Sequence, residues 1–127
     1  MVYATGAIIL KDKLLLLTKR SNYTKVFPQT WACPGGRGEP GEIPEQTIVR
    51  ECKEEVNLNF KPTRLFDKGK YNEYDLFIFL GEWSGTVKIQ EEEITEYSWF
   101  SYEDAIKLKL GFDYKNGIEK LHKEGLI

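Results

Sequence analysis

Three glutamates, Glu51, Glu54 and Glu55, fall within one five-residue span of a stretch patterned as a helix. On a wheel of 100° per residue they share an arc about 100° wide, with Ile48, Val49, Cys52 and Val56 as an apolar stripe beside it. One side of such a helix anchors in a core while three carboxylates crowd the neighbouring side. Like charges three and four residues apart repel by a few tenths of a kcal/mol when exposed, and by more when desolvated. Arg50 is an internal partner, but one cation cannot neutralise three acids. A hard divalent cation with an all-oxygen shell, Mg²⁺ or Mn²⁺, complements them. Just before the helix, residues 35–41 contain four glycines and a proline. No regular element survives that composition. The backbone there turns sharply and approaches other groups closely, so the loop can add a backbone carbonyl to the carboxylates as a ligand.

An acidic helix face alone is ordinary surface. What sets this one apart is its frame: Gly36, five residues, Glu42, seven residues, then Arg50-Glu51-Cys52-Lys53-Glu54-Glu55-Val56-Asn57-Leu58. Six required positions at about one in fifteen each give a chance of about 10⁻⁵ over the chain. The pattern resembles the signature of the Nudix hydrolases, G-x5-E-x7-R-E-U-x-E-E-x-G-U with U apolar. Gly36, Glu42, Arg50, Glu51, Glu54, Glu55 and Leu58 match it. Asn57 takes the place of the last glycine and, like glycine, tolerates positive φ. Pro34-Gly35-Gly36, Gly41-Glu42, Pro44-Glu45-Gln46 and Thr18-Lys19-Arg20 look most like the MutT branch.

The resemblance implies an α/β/α sandwich around a mixed β-sheet. It also implies Mg²⁺-dependent (or Mn²⁺-dependent) hydrolysis of a nucleoside diphosphate linked to a further group, with two or more ions present once substrate is bound. By the same resemblance, Glu51, Glu54, Glu55 and the Gly36 carbonyl hold the ions. Glu51 is the first choice and Glu54 the second for taking the proton of the attacking water, and Arg50 and Glu42 aim Glu51 and Glu55. Glu93, six residues before Trp99, adds a metal ligand. Arg20, Lys25 and Arg37 are candidate phosphate contacts. Asp113 and Asn116 fall in the region that reads a purine edge, and Trp31, Tyr71, Tyr74 and Phe112 are aromatic candidates for stacking on a base. Glu54→Gln is expected to abolish most turnover with the fold intact.

Around this segment, residues 2–10 and 14–18 read as apolar strands joined in a hairpin by the polar tip at residues 11–13. The central helix starts near Pro44 and ends at Asn57. Residues 58–70 are mixed. Residues 74–83 read as a strand buried on both faces, with residues 86–89 and 97–100 as shorter ones. Ser101 to Asp104 resembles a capping box for a short helix stopped by Gly111. Asp113 opens a last helix carrying Ile118 and Leu121, ended by Gly125.

The chain of 127 residues carries 18 Lys and Arg against 20 Asp and Glu, a net charge of −2. That argues against a dedicated nucleic-acid surface. No apolar run reaches the roughly 18 residues of a membrane span, and Met1 to Thr5 lacks a basic signal-peptide start. Cys33, Cys52 and His122 cannot make a disulfide framework or a four-ligand zinc site, and the cysteines read as reduced thiols. The expectation is one cytoplasmic domain over 1–127, with room for a homodimer. Its substrate is expected to be a small nucleotide: a nucleoside triphosphate (an oxidised one such as 8-oxo-dGTP among them) cut to monophosphate and pyrophosphate. Diadenosine polyphosphates, for which Tyr74 stands sixteen residues past Leu58, and nucleoside diphosphate sugars are alternatives. A non-catalytic nucleotide-binding module would show degenerate carboxylates, and here every one is intact.

Overall fold

A computed structural model of the chain describes residues 2–127. Along the sequence run β1 (Tyr3–Ile8), β2 (Leu10–Lys11), β3 (Leu14–Arg20), β4 (Trp31–Ala32), α1 (Pro44–Val56), β5 (Asn59–Tyr71), β6 (Tyr74–Ser84), β7 (Ile94–Phe100), α2 (Tyr102–Ala105) and α3 (Tyr114–Lys123).

The hairpin expected near the start exists only at its tip. Leu10 and Lys11 pair with Leu15 and Leu14, and Asp12 (φ 50°) and Lys13 (φ 62°) supply the two positive φ angles of a two-residue turn. β1 itself leaves this sheet and runs parallel to β6, from Tyr3 opposite Asp75 to Ile8 opposite Leu80. β6 pairs on its other side with β5, antiparallel. One sheet is therefore mixed, in the order β1-β6-β5. In the other, β7 follows one edge of β3 while β2 and β4 share the opposite edge, all antiparallel. Residues 34–38 bind the two sheets together: continuing from β4, they lie along β1 through Ala7 N–H to Pro34 O (2.8 Å), Thr5 N–H to Gly36 O (2.8 Å) and Gly38 N–H to Tyr3 O (3.2 Å).

Strand parity divides the core into two layers. Ala7, Ile9, Leu16 and Phe79 meet Ile48, Cys52 and Val56 of α1. Ala4, Ile8, Leu17 and Ile78 meet Ala105, Ile118 and Leu121 of α2 and α3 on the opposite side. This is the α/β/α arrangement expected from the sequence. Val49 corrects the helical wheel: it is 42% exposed, because it lies at the outer edge of a stripe whose buried members are Thr47, Ile48, Cys52, Glu55 and Val56.

Pro44 opens α1, where its missing N–H costs nothing. Ile43 offers no capping side chain, but its own N–H donates to Gln46 Oε1 (3.1 Å). Asn57 ends the helix at φ 63°. Residues 86–89 are not a strand. Lys88 N–H and Gln90 N–H instead donate to the Val56 and Glu55 carbonyls (both 2.9 Å), satisfying the end of α1. β5, which reads as mixed in sequence, is a full strand. Ser101 Oγ caps α2 by accepting from Asp104 N–H, but α2 ends well before Gly111, which bonds to the Trp31 carbonyl. Asp113 precedes α3 without capping it.

Candidate active site

The chemistry-bearing residues are set by three connections. Residues 34–41 lead from β4 into α1, α1 points its acidic side back under that loop, and residues 86–93, bonded to the end of α1, carry Glu93 round to the end of β3. Ser21 N–H donates to the Glu93 carbonyl (2.8 Å), which fixes that end. Between them opens a cleft of about 600 Å³. Glu51, Glu55 and Glu93 line it together with Arg20, Lys25 and Arg37, and Tyr71, Tyr74, Phe112 and Tyr114 line it as well.

The three signature glutamates are unequal. Glu55 is buried, at 5% exposure. The side chain of Glu51 is 16% exposed and that of Glu54 is 54% exposed, the latter outside the cleft lining. Burial pushes the Glu55 carboxyl well above the usual carboxylate range. Glu51 and Glu93 push it the same way, against Arg20 and the Gly35 backbone. Burial also raises Glu51, opposed by Arg50.

Arg50 organises the rest. Its Nε and Nη2 form a fork on the Glu42 carboxylate at 2.7 and 3.0 Å, and its Nη1 donates to Glu51 (2.9 Å) and Glu54 (3.0 Å). Glu42 in turn accepts from Glu39 N–H and Thr47 Oγ1 (both 2.9 Å). Chiefly through the Arg50 hydrogen bond, its pKa falls from the ordinary 4.5 to about 2. Arg50 and Glu42 thus aim Glu51 and Glu54, not Glu51 and Glu55. Glu55 takes no hydrogen bond from either of them; the Gly35 backbone lies close enough to favour its ionised form against the burial.

Gly36 stands where the pattern requires, for a different reason. Its carbonyl accepts from both Thr5 N–H (2.8 Å) and Thr5 Oγ1 (2.9 Å), which uses both lone pairs and turns it away from the carboxylates. A Cβ at Gly36 would lie 2.5 Å from the Glu51 carboxyl carbon, so any larger residue there would displace the Glu51 carboxylate.

Among the phosphate candidates, Arg20 lies 5.1 Å over the Phe112 ring with its Nε on the Val26 carbonyl (2.9 Å). Arg37 donates to Tyr74 Oη (3.0 Å), a bond that raises the guanidinium pKa further. Tyr71 stacks on Tyr74 (5.2 Å, 6°) and meets Phe112 edge-on (4.8 Å). Asp113 is not in the lining; its carboxylate accepts from Asn116 Nδ2 (2.6 Å). The neighbours on either side of it, Phe112 and Tyr114, face the cleft instead. Trp31 packs on Phe100 in the core. Tyr114, Gly35 and Cys33 line the cleft without any signal in the pattern. A helix start shows which residues cap, not which one faces a cavity. Cys33 is a buried thiol whose pKa is driven up by burial, and Cys52 is buried in the core under α1.

Donor chemistry suits a hard divalent ion: carboxylates from two segments face one cleft, and two of them are raised by burial and mutual repulsion. Among the described residues no three His, Cys, Asp or Glu side chains already converge as a ready ligand set, since Arg50 holds Glu51 and Glu54.

Residues 2–121 match the NUDIX domain. The chain belongs to the Nudix family. Over 108 residues it is 33% identical to diphosphoinositol polyphosphate phosphohydrolase 3-alpha of Mus musculus, covering 77% of this chain and 60% of that protein. It is 29% identical over 118 residues to nucleoside triphosphatase NudI of Escherichia coli O1:K1, covering 81% and 84%. This Nudix chain therefore spans about 60% of the length of the mammalian relatives it matches. Its structural neighbours are MutT-like. The crystal structure of the MutT protein from Methanosarcina mazei Go1 superposes with a TM-score of 0.87 over 98% of this chain and 94% of that one, at 24% identity, a likeness that speaks for the fold. Among the described residues no helix is long and apolar enough to cross a membrane.

Proposed function

We propose that this Nudix domain hydrolyses a phosphoanhydride bond in a nucleoside diphosphate linked to a further group, a nucleoside triphosphate above all, giving the monophosphate and pyrophosphate. The observation that carries this reading is the sharing of one cleft by Glu51, Glu55 and Glu93, by the cations Arg20, Lys25 and Arg37, and by the rings of Tyr71, Tyr74 and Phe112. Nudix hydrolases generally use divalent metal ions, and here Glu51, Glu55 and Glu93 would hold Mg²⁺ or Mn²⁺. When bound, such an ion supplies positive charge to the bridging phosphates and acidifies a water.

The residues supply the remainder. Glu51, raised by burial and steadied by Arg50, would accept a proton from the attacking water. Arg50, locked by Glu42, keeps that carboxylate in one orientation. Arg20, Lys25 and Arg37 neutralise the phosphate chain, and the aromatic side chains receive the base. Two buried, unpaired thiols suit a reducing, cytoplasmic setting.

The identity to a diphosphoinositol polyphosphate phosphohydrolase favours a second reading, in which the three cations hold an inositol polyphosphate. A panel of nucleoside triphosphates, dinucleoside polyphosphates, nucleoside diphosphate sugars and diphosphoinositol polyphosphate, with Mg²⁺ or Mn²⁺ and products identified by mass, separates the two. Nucleotide turnover should lead, and kcat should fall on the order of a hundredfold or more in Glu51→Gln and Glu55→Gln, which each remove a charged ligand. Glu54→Gln, expected from the sequence to abolish most turnover, should instead lose less, because the Glu54 side chain is 54% exposed and outside the cleft lining. Nucleotide binding without turnover of any substrate would sink the hydrolase reading in favour of a binding module.

A further inference from the structure

The floor of the cleft carries a polar group that the chain itself leaves unused. Tyr114 is 2% exposed and its ring packs beside Phe112 at 5.7 Å. Its Oη makes no hydrogen bond to another described residue, yet among the described residues no buried side-chain N or O atom lacks a partner. The oxygen therefore borders open space, and the space that Tyr114 borders is the cleft. Gly6 on β1 keeps that room: a Cβ there would overlap Tyr114 Oη. Were packing the only task of this ring, phenylalanine would serve better, because a nearly buried hydroxyl without a partner costs stability.

The surroundings indicate what the hydroxyl meets. Glu55, Arg20, Tyr71 and Phe112 line the same cleft as Tyr114, and the Phe112 ring lies against it, so Oη shares its space with both acidic and aromatic side chains. Phosphates would be met by the ion that Glu51, Glu55 and Glu93 would hold and by Arg20, Lys25 and Arg37 on the cleft walls, which leaves an uncharged hydroxyl for another part of the substrate. A neutral hydroxyl among aromatic rings suits a neutral heteroatom that must both give and take a hydrogen bond. Resting on the nucleotide reading above, we propose that Tyr114 is a substrate-binding residue whose Oη exchanges a hydrogen bond with the nucleoside portion of the substrate, at a sugar hydroxyl or the base edge.

Tyr114→Phe keeps the packing and removes only the oxygen. For nucleotides, KM should rise about three- to tenfold, the worth of one neutral hydrogen bond, while kcat stays within about twofold. The melting temperature should hold or rise, which a structural role would not allow. The Ki of inorganic tripolyphosphate, which has neither sugar nor base, should not move. Comparing ribo- with 2′-deoxynucleotides locates the partner: a penalty confined to the ribo series marks the sugar, and one common to both marks the base edge or another sugar oxygen. A KM at the wild-type value, or a tripolyphosphate Ki that rises with it, overturns the assignment while leaving the hydrolase reading in place. A wild-type protein that turns over no nucleotide removes both.

Discussion

Arg50 spends its donor fork on the Glu42, Glu51 and Glu54 carboxylates and the Arg37 carbonyl, and the residue that decides its posture is Glu42. The pair is mutual. Arg50 holds Glu42 ionised down to about pH 2, and Glu42 keeps Arg50 where it can reach Glu51 and Glu54. A carboxyl whose folded pKa is depressed adds stability that is fully present above its unfolded value of 4.5 and is lost as pH falls through the folded value. The expected window of loss therefore runs from about pH 4.5 to about pH 2. Glu42→Gln should lower the melting temperature near neutrality, and the gap to the wild type should close as pH falls across that window. The same variant should lower kcat, since Arg50 would no longer be held against Glu51. Thermal melts of both proteins across the window, run in parallel, check this; a constant gap would deny the pairing its electrostatic share.

At the scale of the elements, α1 is the part whose sequence and structure agree most fully. Its proline start, its periodic apolar face and the left-handed Asn57 all follow from local rules. Asn57 also donates to the Thr86 carbonyl (3.2 Å), so it both ends the helix and holds the loop that leads to Glu93. Asn57→Ala should cost about 1–2 kcal/mol in urea unfolding, from the left-handed backbone and the lost hydrogen bond. Asn57→Gly should be close to neutral, because the freed backbone offsets that bond. β5 was not legible. Pro62, Gly69 and alternating charges hide it, only Phe60 and Phe66 of its residues are buried, and its register with β6 shifts twice; backbone pairing, not side-chain pattern, makes it a strand. The same limit explains the site. The acidic side of α1 is a local pattern, whereas the choice of Tyr114 over Asp113, or the turning of the Gly36 carbonyl toward Thr5, depends on strands that approach from elsewhere in the chain.

At the scale of the whole molecule, a short stretch of chain hydrogen-bonds one sheet to the other, beside a core that both sheets share. Residues 31–38 begin against β3 in one sheet and finish against β1 in the other, and the cleft opens where they cross. If that connection couples the sheets, the two core layers melt together, as one cooperative unit of this size should. The tryptophans allow the layers to be watched separately. Trp31 reports on the layer under α2 and α3, against Phe100. Trp83 and Trp99, 5.5 Å apart, report on the layer under α1, where Trp83 Nε1 donates to the Leu10 carbonyl (2.9 Å). In Trp31→Phe, fluorescence follows the α1 layer alone; with Trp83→Phe and Trp99→Phe combined, it follows the other. Within each variant the urea midpoint by fluorescence should coincide with that by far-ultraviolet circular dichroism. A saturating nucleotide with Mg²⁺ should raise both midpoints together, since ligand bound in the cleft stabilises only the joined state. Midpoints that separate within either variant would mean that the two core layers unfold independently, although each draws residues from both sheets.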